Sequence, residues 1–339
     1  MTHHPAAVIG LGSFLPPNRV TNEDLAHRFD TTDEWITTRT GIRSRHWADA
    51  GTSTGDLAFE AGSRALKSAG LTPEPGVVDA VVLATTTPDH PCPATAPAVA
   101  ARLQLGAVAA YDVSAVCSGF IYALATASAQ ITAGHAERVL VIGAETYSTI
   151  LNPADRTTSV IFGDGAGAVV LSAASDPDAP GVILGVDLGS DGSRSDLICI
   201  PGGGSRQRAN PEDPSLDEKF FTIQGKKVFA EAVRRMGEST AALLARVGWE
   251  ADQVDHLVGH QANLRILRAV AARLGIPEEK SVVNLDRVGN TSAASIPLAL
   301  ADAAASGRLA LGDRLLLTAF GGGLTWGSIA LTWPGTTPA

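Results

Sequence analysis

The six residues Ala98-Val99-Ala100-Ala101-Arg102-Leu103 recur in the second half of the chain as Ala269-Val270-Ala271-Ala272-Arg273-Leu274. Both copies follow an apolar run and precede a short strand, a sharp turn and a helix of small residues. Short runs rich in Val, Ile and Leu predict strands covered on both faces, and their alternation with helices predicts α/β layering. The sequence therefore predicts a duplicated α/β protein whose two sheets stack, with helices between and outside them.

The predicted strands occupy matching places in the two halves. They span residues 77–83, 138–142 and 165–171 in the first half and 254–258, 314–318 and 327–331 in the second. We place the N-terminal half at residues 1–175 and the C-terminal half at residues 176–339. Residues 187–220 break the symmetry, because they contain Gly202-Gly203-Gly204 and prolines that include Pro211 and Pro214 but no helical period. We therefore expect a long functional or mobile loop there.

Composition limits the class of protein. The chain has 339 residues, of which 45% are hydrophobic, and its formal net charge of −9 disfavours general nucleic-acid binding. The cysteines Cys92, Cys117 and Cys199 are too far apart to suggest a disulfide framework, so we expect a reducing compartment, the cytoplasm. The sequence has neither the opening pattern of a signal peptide nor an apolar run of about 18 residues, so no membrane association is predicted.

Cys117 lies where the strand-forming residues 109–116 give way to a helix. A helix N-terminus favours an anion, and the thiolate is the nucleophilic form of cysteine. The duplication predicts that Cys117 and Asn290 occupy equivalent helix starts that face each other. His260 follows the predicted strand 254–258, at the kind of strand end where α/β active sites gather. A cysteine close to a histidine and an asparagine suits acyl transfer.

Each of these residues also has an ordinary structural interpretation. Cys117 would be a small buried hydrophobic residue, His260 a surface-loop histidine and Asn290 a helix N-cap. For any one of them alone, the ordinary role is the better hypothesis. The duplication favours a catalytic site because it brings all three together.

Longer motifs surround the three residues. They are residues 112–120 (Asp-Val-Ser-Ala-Val-Cys-Ser-Gly-Phe), 260–265 (His-Gln-Ala-Asn-Leu-Arg) and 289–295 (Gly-Asn-Thr-Ser-Ala-Ala-Ser). These motifs resemble the Cys-His-Asn signatures of the thiolase superfamily and, more narrowly, β-ketoacyl-acyl-carrier-protein synthase III, the FabH-type condensing enzyme. Shorter matches lie at residues 32–36, 39–43, 162–168 and 320–323. The resemblance spans most of the chain and implies a thiolase-like, duplicated αβαβα five-layer fold with two stacked mixed sheets.

The resemblance also implies a mechanism. Cys117 would take the acyl group from an acyl-CoA, with the backbone N–H groups of Cys117 and Gly322 as the oxyanion hole. Malonyl-acyl-carrier protein would then bind, and His260 and Asn290 would stabilise the enolate formed as carbon dioxide leaves. The product would be a 3-oxoacyl-acyl-carrier protein that initiates a fatty-acid or polyketide chain. The reaction needs no metal or redox cofactor, and the resemblance implies a homodimer.

Three groups of binding residues follow from the same resemblance. The CoA site would comprise Thr31, Trp35, Arg39, Arg43, Arg156, Gly225, Phe229 and Asn263. Docking of the acidic carrier protein would use Arg265, Lys226 and Arg268. The acyl pocket would comprise Cys92, Tyr147, Phe162 and Phe320. Trp35 and Arg156 would enclose the adenine, because a guanidinium over an aromatic ring is a favourable nucleotide clamp.

The acyl pocket departs from the family pattern. Cys92 stands where acetyl-preferring bacterial relatives carry a bulky Phe that reaches across the dimer, and Tyr147 replaces an aliphatic residue. A smaller residue at position 92 leaves room for a longer or branched acyl chain. These departures weaken any expectation of acetyl-CoA specificity.

Other activities of the superfamily are alternatives. A starter-unit priming or tailoring acyltransferase of secondary metabolism would use the same acyl-Cys117 without decarboxylation. A non-catalytic subunit would typically lack the active cysteine. An ordinary thiolase would need a second cysteine near residues 321–323, which the sequence lacks. Chemistry like that of HMG-CoA synthase would need a carboxylate near Cys117, for which Glu145 is the candidate.

Overall fold

Two mixed β-sheets form the framework of the protein, and the computed structural model describes residues 4–210, 212 and 218–339. The first sheet contains, in spatial order, β1 (Ala6–Phe14), β7 (Gly165–Ala173), β6 (Arg138–Glu145), β4 (Ala80–Ala84) and β5 (Ala109–Val113). The second contains β11 (His256–Gly259), β12 (Arg314–Gly321), β13 (Thr325–Thr332) and β8 (Ile183–Ser190). β4 runs parallel to β5 and β6, and β11 runs parallel to β12, whereas β7 and β13 are antiparallel to their neighbours.

The two sheets share one topology. β1, β7, β6 and β4 correspond in order and direction to β8, β13, β12 and β11. The counterpart of β5 is reduced to a single parallel bridge between Leu257 and Ser281. The predicted duplicated α/β architecture with two mixed sheets is confirmed. The division between residues 175 and 176 stays a prediction.

Helices form the other three layers. α5 (Gly119–Thr132) and α11 (Ser295–Ala305) share one apolar core with both sheets. α3 (Thr54–Ser68) and α4 (Ala96–Arg102) pack on the first sheet, and α8 (Gly225–Val247) and α9 (Leu264–Leu274) pack on the second. The two copies of the repeated motif lie at the equivalent helices α4 and α9. The order of layers is αβαβα, as the resemblance implied.

Position in these layers explains the helix sequences. Ile121 and Leu124 in α5 and Ile296 and Leu300 in α11 are all at most 2% exposed. A helix between two sheets is apolar on every side, whereas an outer helix needs only one apolar stripe. Outer helix α3 has such a stripe, and it begins at a capping box in which Ser53 accepts a hydrogen bond from the Asp56 N–H.

Shorter elements complete the chain. They are β2 (Arg19–Thr21), α1 (Asn22–Ala26), α2 (Asp33–Thr40), β3 (Ser44–His46), α6 (Arg156–Ser159), β9 (Ile198–Cys199), α7 (Ser205–Arg208), β10 (Thr222–Ile223) and α10 (Leu285–Val288). None of the helices within the described ranges has both the length and the apolar character that crossing a bilayer requires.

The expectation of a long loop at residues 187–220 is partly wrong. β8 continues to Ser190, β9 pairs with β10, and α7 forms a single helical turn. Elements of two to four residues are too short to produce a recognisable hydrophobic period, which is why the sequence did not reveal them. Two prolines of this segment, Pro211 and Pro214, lie outside the described residues.

A pair of leucine substitutions tests the central layer. Leu124, in α5, is 1% exposed, whereas Leu311 is 68% exposed. Replacing a buried leucine by alanine removes apolar contacts and leaves a cavity, so Leu124→Ala should lower the free energy of unfolding by about 2–5 kcal/mol. Leu311→Ala should change it by no more than about 0.5 kcal/mol. Urea unfolding followed by circular dichroism measures both, and equal losses would contradict the proposed burial of α5.

Candidate active site

Cys117 lies in a strained turn at the start of α5. The 3₁₀ turn Val116–Ser118 follows β5, and an equivalent turn, Ser292–Ala294, precedes α11. Val116 and Ser292, the first residues of these turns, have φ values of 48° and 47°. Residues with side chains rarely adopt such values, and strained backbone is concentrated at functional sites.

The matching turns correct one prediction from the sequence. Because Val116 corresponds to Ser292, the counterpart of Cys117 is Ala293 and not Asn290. Asn290 precedes the second turn, and α11 itself begins only at Ser295. Sequence similarity around the turns is too weak to define this alignment.

The two turns and a glycine-rich loop pack closely together. A Cβ atom at Gly143 would lie 2.5 Å from the Ala293 carbonyl oxygen, and one at Gly321 would lie 2.9 Å from the Cys117 nitrogen. Thr325 Oγ1 lies 2.8 Å from Ser118 Oγ and donates a hydrogen bond of 2.9 Å to the Gly322 carbonyl. These contacts hold the loop of residues 321–323 against the turn that carries the cysteine.

Cys117, His260 and Asn290 open onto one cavity. The structure thus brings together the three residues that the sequence analysis selected. The other lining residues are Phe162, Ile198, Phe221, Ile223, Val228, Ala232, Met236, Ala262, Ile266 and Phe320. Their apolar side chains suit an alkyl chain or the pantetheine arm of a thioester.

His260 is held as a neutral imidazole. It follows β11, its backbone N–H donates to the Thr318 carbonyl at 2.8 Å, and its Nδ1 lies 2.7 Å from the Ser295 Oγ. The residue is 3% exposed, and burial lowers its pKa to about 3. A neutral imidazole keeps one N–H donor at neutral pH.

Asn290 is fixed through its backbone and its side chain. Its N–H donates to the Ile161 carbonyl, and its own carbonyl accepts from the Gly163 N–H, both at 2.9 Å. The side-chain Oδ1 accepts from the Ser292 N–H at 2.9 Å. With its oxygen occupied, the amide presents Nδ2 as its free donor group.

The Cys117 thiol is protonated at neutral pH in this structure. Burial raises its pKa to about 12, the nearby Glu145 charge also raises it, and an interaction with the Ser292 hydroxyl lowers it. In the protein without substrate, burial therefore opposes the ionisation that a helix start favours. The loss of hydration outweighs the favourable field of the helix N-terminus.

The predicted CoA residues lie in two groups. In the first, the guanidinium carbons of Arg39 and Arg156 lie 4.4 and 5.0 Å from the centre of the Trp35 ring. Arg43 lines an open groove with Thr31, whose buried Oγ1 has no hydrogen-bond partner within the described chain. This group offers cations, an aromatic ring and an unused hydroxyl to a nucleotide.

The second group lies at the starts of α8 and α9. Asn263 is the N-cap of α9: its Oδ1 accepts from the Arg265 N–H at 2.8 Å, and its Nδ2 donates to the Arg39 carbonyl at 3.0 Å. Arg265 lies over the Phe229 ring, 5.6 Å from its centre, and Gly225 begins α8. Asn263 therefore joins the two groups of the candidate CoA site.

The predicted carrier-docking residues differ in their availability. Lys226 and Arg265 are exposed, and neither forms an ion pair in the parts of the chain that the structure describes. Arg268 lies 2.6 Å from Glu278. An ion pair already satisfies Arg268, so Lys226 and Arg265 are the better candidates for binding an acidic partner.

The predicted acyl-pocket residues are not all at the cavity. Phe162 and Phe320 line it, whereas Cys92 is exposed on a loop and is not part of the lining. Tyr147 stacks on Phe162 with ring centres 4.4 Å apart, and in the described chain its buried hydroxyl has no hydrogen-bond partner. Phe221 also lines the cavity and was not predicted, because its position depends on a short element that gives no periodic signal.

The described residues contain no cluster of three or more His, Cys, Asp or Glu side chains that could bind a metal ion. The absence of a cofactor stays a prediction from the resemblance.

Comparisons with known proteins agree with this fold and site. Residues 111–192 match the family "3-Oxoacyl-[acyl-carrier-protein (ACP)] synthase III", and residues 244–333 match its C-terminal family. The chain is 65% identical to "Beta-ketoacyl-[acyl-carrier-protein] synthase III 5" of Streptomyces coelicolor, with 97% of each chain covered.

Solved structures show the same relationship. The crystal structure of 3-oxoacyl-(acyl carrier protein) synthase III, FabH, from Pseudomonas aeruginosa superimposes with a TM-score of 0.91 at 50% identity, covering 98% of this chain and 100% of that one. A priming β-ketosynthase from the R1128 polyketide biosynthetic pathway gives 0.90 at 34% identity, covering 99% and 98%. The chain belongs to the 3-oxoacyl-[acyl-carrier-protein] synthase III family of thiolase-fold condensing enzymes.

Proposed function

We propose that this protein condenses an acyl group from acyl-CoA with malonyl-acyl-carrier protein to give 3-oxoacyl-acyl-carrier protein. One observation carries the proposal: Cys117, His260 and Asn290 open onto the same apolar cavity. That cavity provides a nucleophile and two donors in a site from which most water is excluded. Family membership supports the same reaction class.

In the first half-reaction, Cys117 Sγ attacks the thioester carbonyl and CoA leaves. Negative charge then develops on the carbonyl oxygen, so donors placed at that oxygen lower the barrier. The backbone N–H groups of Cys117 and Gly322 are the proposed donors. The close packing of residues 321–323 on the cysteine turn supports this pairing.

In the second half-reaction, malonyl-acyl-carrier protein loses carbon dioxide and becomes an enolate. His260 and Asn290 would donate to the enolate oxygen through Nε2–H and Nδ2–H. The Ser295 hydroxyl lies 2.7 Å from His260 Nδ1 and would support this role by donating to it. Ser292 supports it by occupying Asn290 Oδ1. The carbanion then attacks the acyl group on Cys117.

The partners follow from the same site. CoA would bind along Trp35, Arg39 and Arg156, and carrier protein would dock near Arg265 and Lys226. The condensation changes no oxidation state that would require a redox cofactor. We propose a homodimer formed along β5, because β5 is an edge strand of the first sheet. An edge strand leaves backbone N–H and C=O groups available for pairing with another chain.

A starter-unit priming role in secondary metabolism is a second candidate. It is favoured by the similarity to the priming β-ketosynthase of a polyketide pathway. The release of carbon dioxide from malonyl-carrier protein supports condensation. Acyl transfer to another acceptor without carbon dioxide would support a priming or tailoring acyltransferase.

Substitutions at the nucleophile separate the two half-reactions. Wild-type protein incubated with a panel of acyl-CoAs should gain one acyl group by intact mass, and Cys117→Ala should gain none. Cys199→Ala is the matched control and should still be acylated, because Cys199 lies outside the cavity. His260→Ala should keep acylation but lose carbon dioxide release by about 100-fold or more, because its donor acts on the enolate. An acyl adduct on Cys117→Ala would contradict the assignment.

The low pKa of His260 predicts that the rate of decarboxylation does not change with the protonation of His260 between pH 5 and 8. Burial holds the imidazole neutral down to a pKa of about 3, so its donor state does not change between pH 5 and 8. Single-turnover carbon dioxide release from pre-acylated enzyme should therefore show no inflection near pH 6.5. An inflection there that persists in Cys92→Ala but vanishes in His260→Asn would show that His260 titrates normally.

The arginine–tryptophan clamp predicts recognition of the nucleotide. Arg156→Ala should raise the apparent KM for acyl-CoA by about tenfold through loss of cation–π and phosphate contacts. It should leave the KM for an acyl-pantetheine without the nucleotide unchanged. Arg102→Ala removes a comparable arginine, 4.7 Å from the Phe59 ring centre, and should affect neither substrate. Equal effects of Arg156→Ala on both substrates would place the nucleotide elsewhere.

A further inference from the structure

Glu145 is a buried carboxyl group behind the nucleophile that the proposed mechanism does not use. It ends β6 and is fully buried. Thr86 donates its backbone N–H to the carboxyl at 3.1 Å, and Thr87 donates its hydroxyl at 2.8 Å. From the other half of the chain, the Ala293 N–H approaches at 3.4 Å. The fold thus holds one carboxylate between its two halves, directly at the turn that faces Cys117.

Ser292 lies between this carboxyl group and the nucleophile. The Ser292 side chain lies close enough to the Cys117 thiol and the Glu145 carboxyl to lower the pKa of each. Its hydroxyl is fully buried, and within the described chain it has no hydrogen-bond partner. A buried hydroxyl without a settled partner is costly, and Ser292 also has a strained backbone. Such a hydroxyl can turn towards either neighbour.

We propose that Glu145 accepts the Cys117 proton through the Ser292 hydroxyl and stores it between the two half-reactions. The Cys117 S–H bond breaks as its proton passes to Ser292 Oγ, while the Ser292 proton passes to the Glu145 carboxylate. The thiolate then attacks the acyl carbonyl, and the departing CoA thiolate takes a proton from solvent.

The return of the proton rests on the proposed condensation. When the enolate carbon attacks the acyl group, the bond between that group and Cys117 Sγ breaks, and Cys117 leaves as a thiolate. Glu145 returns its proton through Ser292, which regenerates the thiol and the carboxylate. Over the full cycle, one solvent proton is consumed and appears as the thiol of free CoA.

The surroundings of Glu145 suit a proton acceptor. Burial raises its pKa to about 7, against the lowering effect of the Thr87, Thr86 and Ser292 contacts. Such a carboxyl group can gain and lose a proton near neutral pH. The titratable groups that face it are Cys117 and Tyr147, and the pKa of each is raised by its charge.

The other groups around Glu145 are neutral. Besides Thr86, Ser292 and Ala293, they are Thr85 Oγ1 at 3.4 Å and Thr87 Oγ1, which Thr54 Oγ1 of α3 contacts at 3.0 Å. No described Lys or Arg is among its contacts. The protonation of the Glu145 carboxyl group is therefore coupled to that of Cys117 and not to a nearby cation.

The rate of Cys117 alkylation by iodoacetamide, followed by intact mass between pH 5 and 10, tests this proton relay from Cys117 through Ser292 to Glu145. The assay needs neither acyl-CoA nor carrier protein. In the wild type, alkylation should rise with an inflection near pH 7, as Glu145 ionises. In Glu145→Gln this inflection should vanish, and alkylation at pH 8 should slow by about 10- to 100-fold. Faster alkylation of Glu145→Gln would overturn the proposal, because it would show that the carboxylate only repels the thiolate.

Further variants complete the test. Ser292→Ala keeps the backbone N–H that holds Asn290 but breaks the relay, so it should slow alkylation as Glu145→Gln does. The double variant should be no slower than either single one, whereas independent additive effects would contradict a shared path. Thr126→Ala is the matched control, because its hydroxyl lies on the same helix, α5, but bonds to the Tyr122 carbonyl at 2.8 Å. It should retain the inflection near pH 7.

Failure of the relay and failure of the proposed function give different results. Normal alkylation profiles in both Glu145→Gln and Ser292→Ala would reject the relay, even if wild-type enzyme condenses malonyl-carrier protein. If both variants lose the inflection but the wild-type enzyme does not condense malonyl-carrier protein, the transfer of the Cys117 proton to Glu145 is supported. The return of that proton during condensation is then rejected. Circular dichroism shows whether each variant is folded. If either Glu145→Gln or Ser292→Ala is misfolded, the alkylation profile of the other variant decides the outcome.

Discussion

The close contact of two helix starts at the interface between the duplicated halves governs this structure. α5 and α11 are buried between two sheets, and their first turns meet where there is no room for larger side chains. Gly143 faces the Ala293 carbonyl, and Gly321 faces the Cys117 nitrogen. Packing at this density fixes atoms to within fractions of an ångström, which a catalytic site requires. The same packing holds Val116 and Ser292 in strained conformations.

Burial at this contact sets the protonation of the site. It holds His260 neutral, keeps the Cys117 thiol protonated and raises the pKa of Glu145 into the neutral range. In water these three groups would titrate in the order carboxyl, imidazole, thiol. In the protein the imidazole no longer titrates near neutral pH, so the carboxyl group is left as the base. In the proposed mechanism His260 is a neutral donor to the enolate, so a different group must accept the Cys117 thiol proton.

The division of labour between the halves follows from the duplication. The N-terminal half supplies Cys117 and Glu145, and the C-terminal half supplies His260, Asn290 and Ser292. Each proposed catalytic donor is held by a neighbouring serine: Ser295 contacts His260, and the Ser292 N–H donates to Asn290. The cavity over these groups is apolar, whereas arginine side chains lie around Trp35.

The layered α/β fold, the duplication and the three residues that share the cavity could all be predicted from the amino-acid sequence. Apolar runs, helix periodicity and long motifs are local properties, so they can be recognised without knowing which segments touch. The alignment of Cys117 with Ala293, the inner position of Glu145 and the exposure of Cys92 depended on the tertiary structure. So did the protonation of the thiol, because a helix start favours a thiolate whereas the surrounding chain buries the thiol. These properties arise where distant segments meet and exclude water, and no local pattern records how closely they do so.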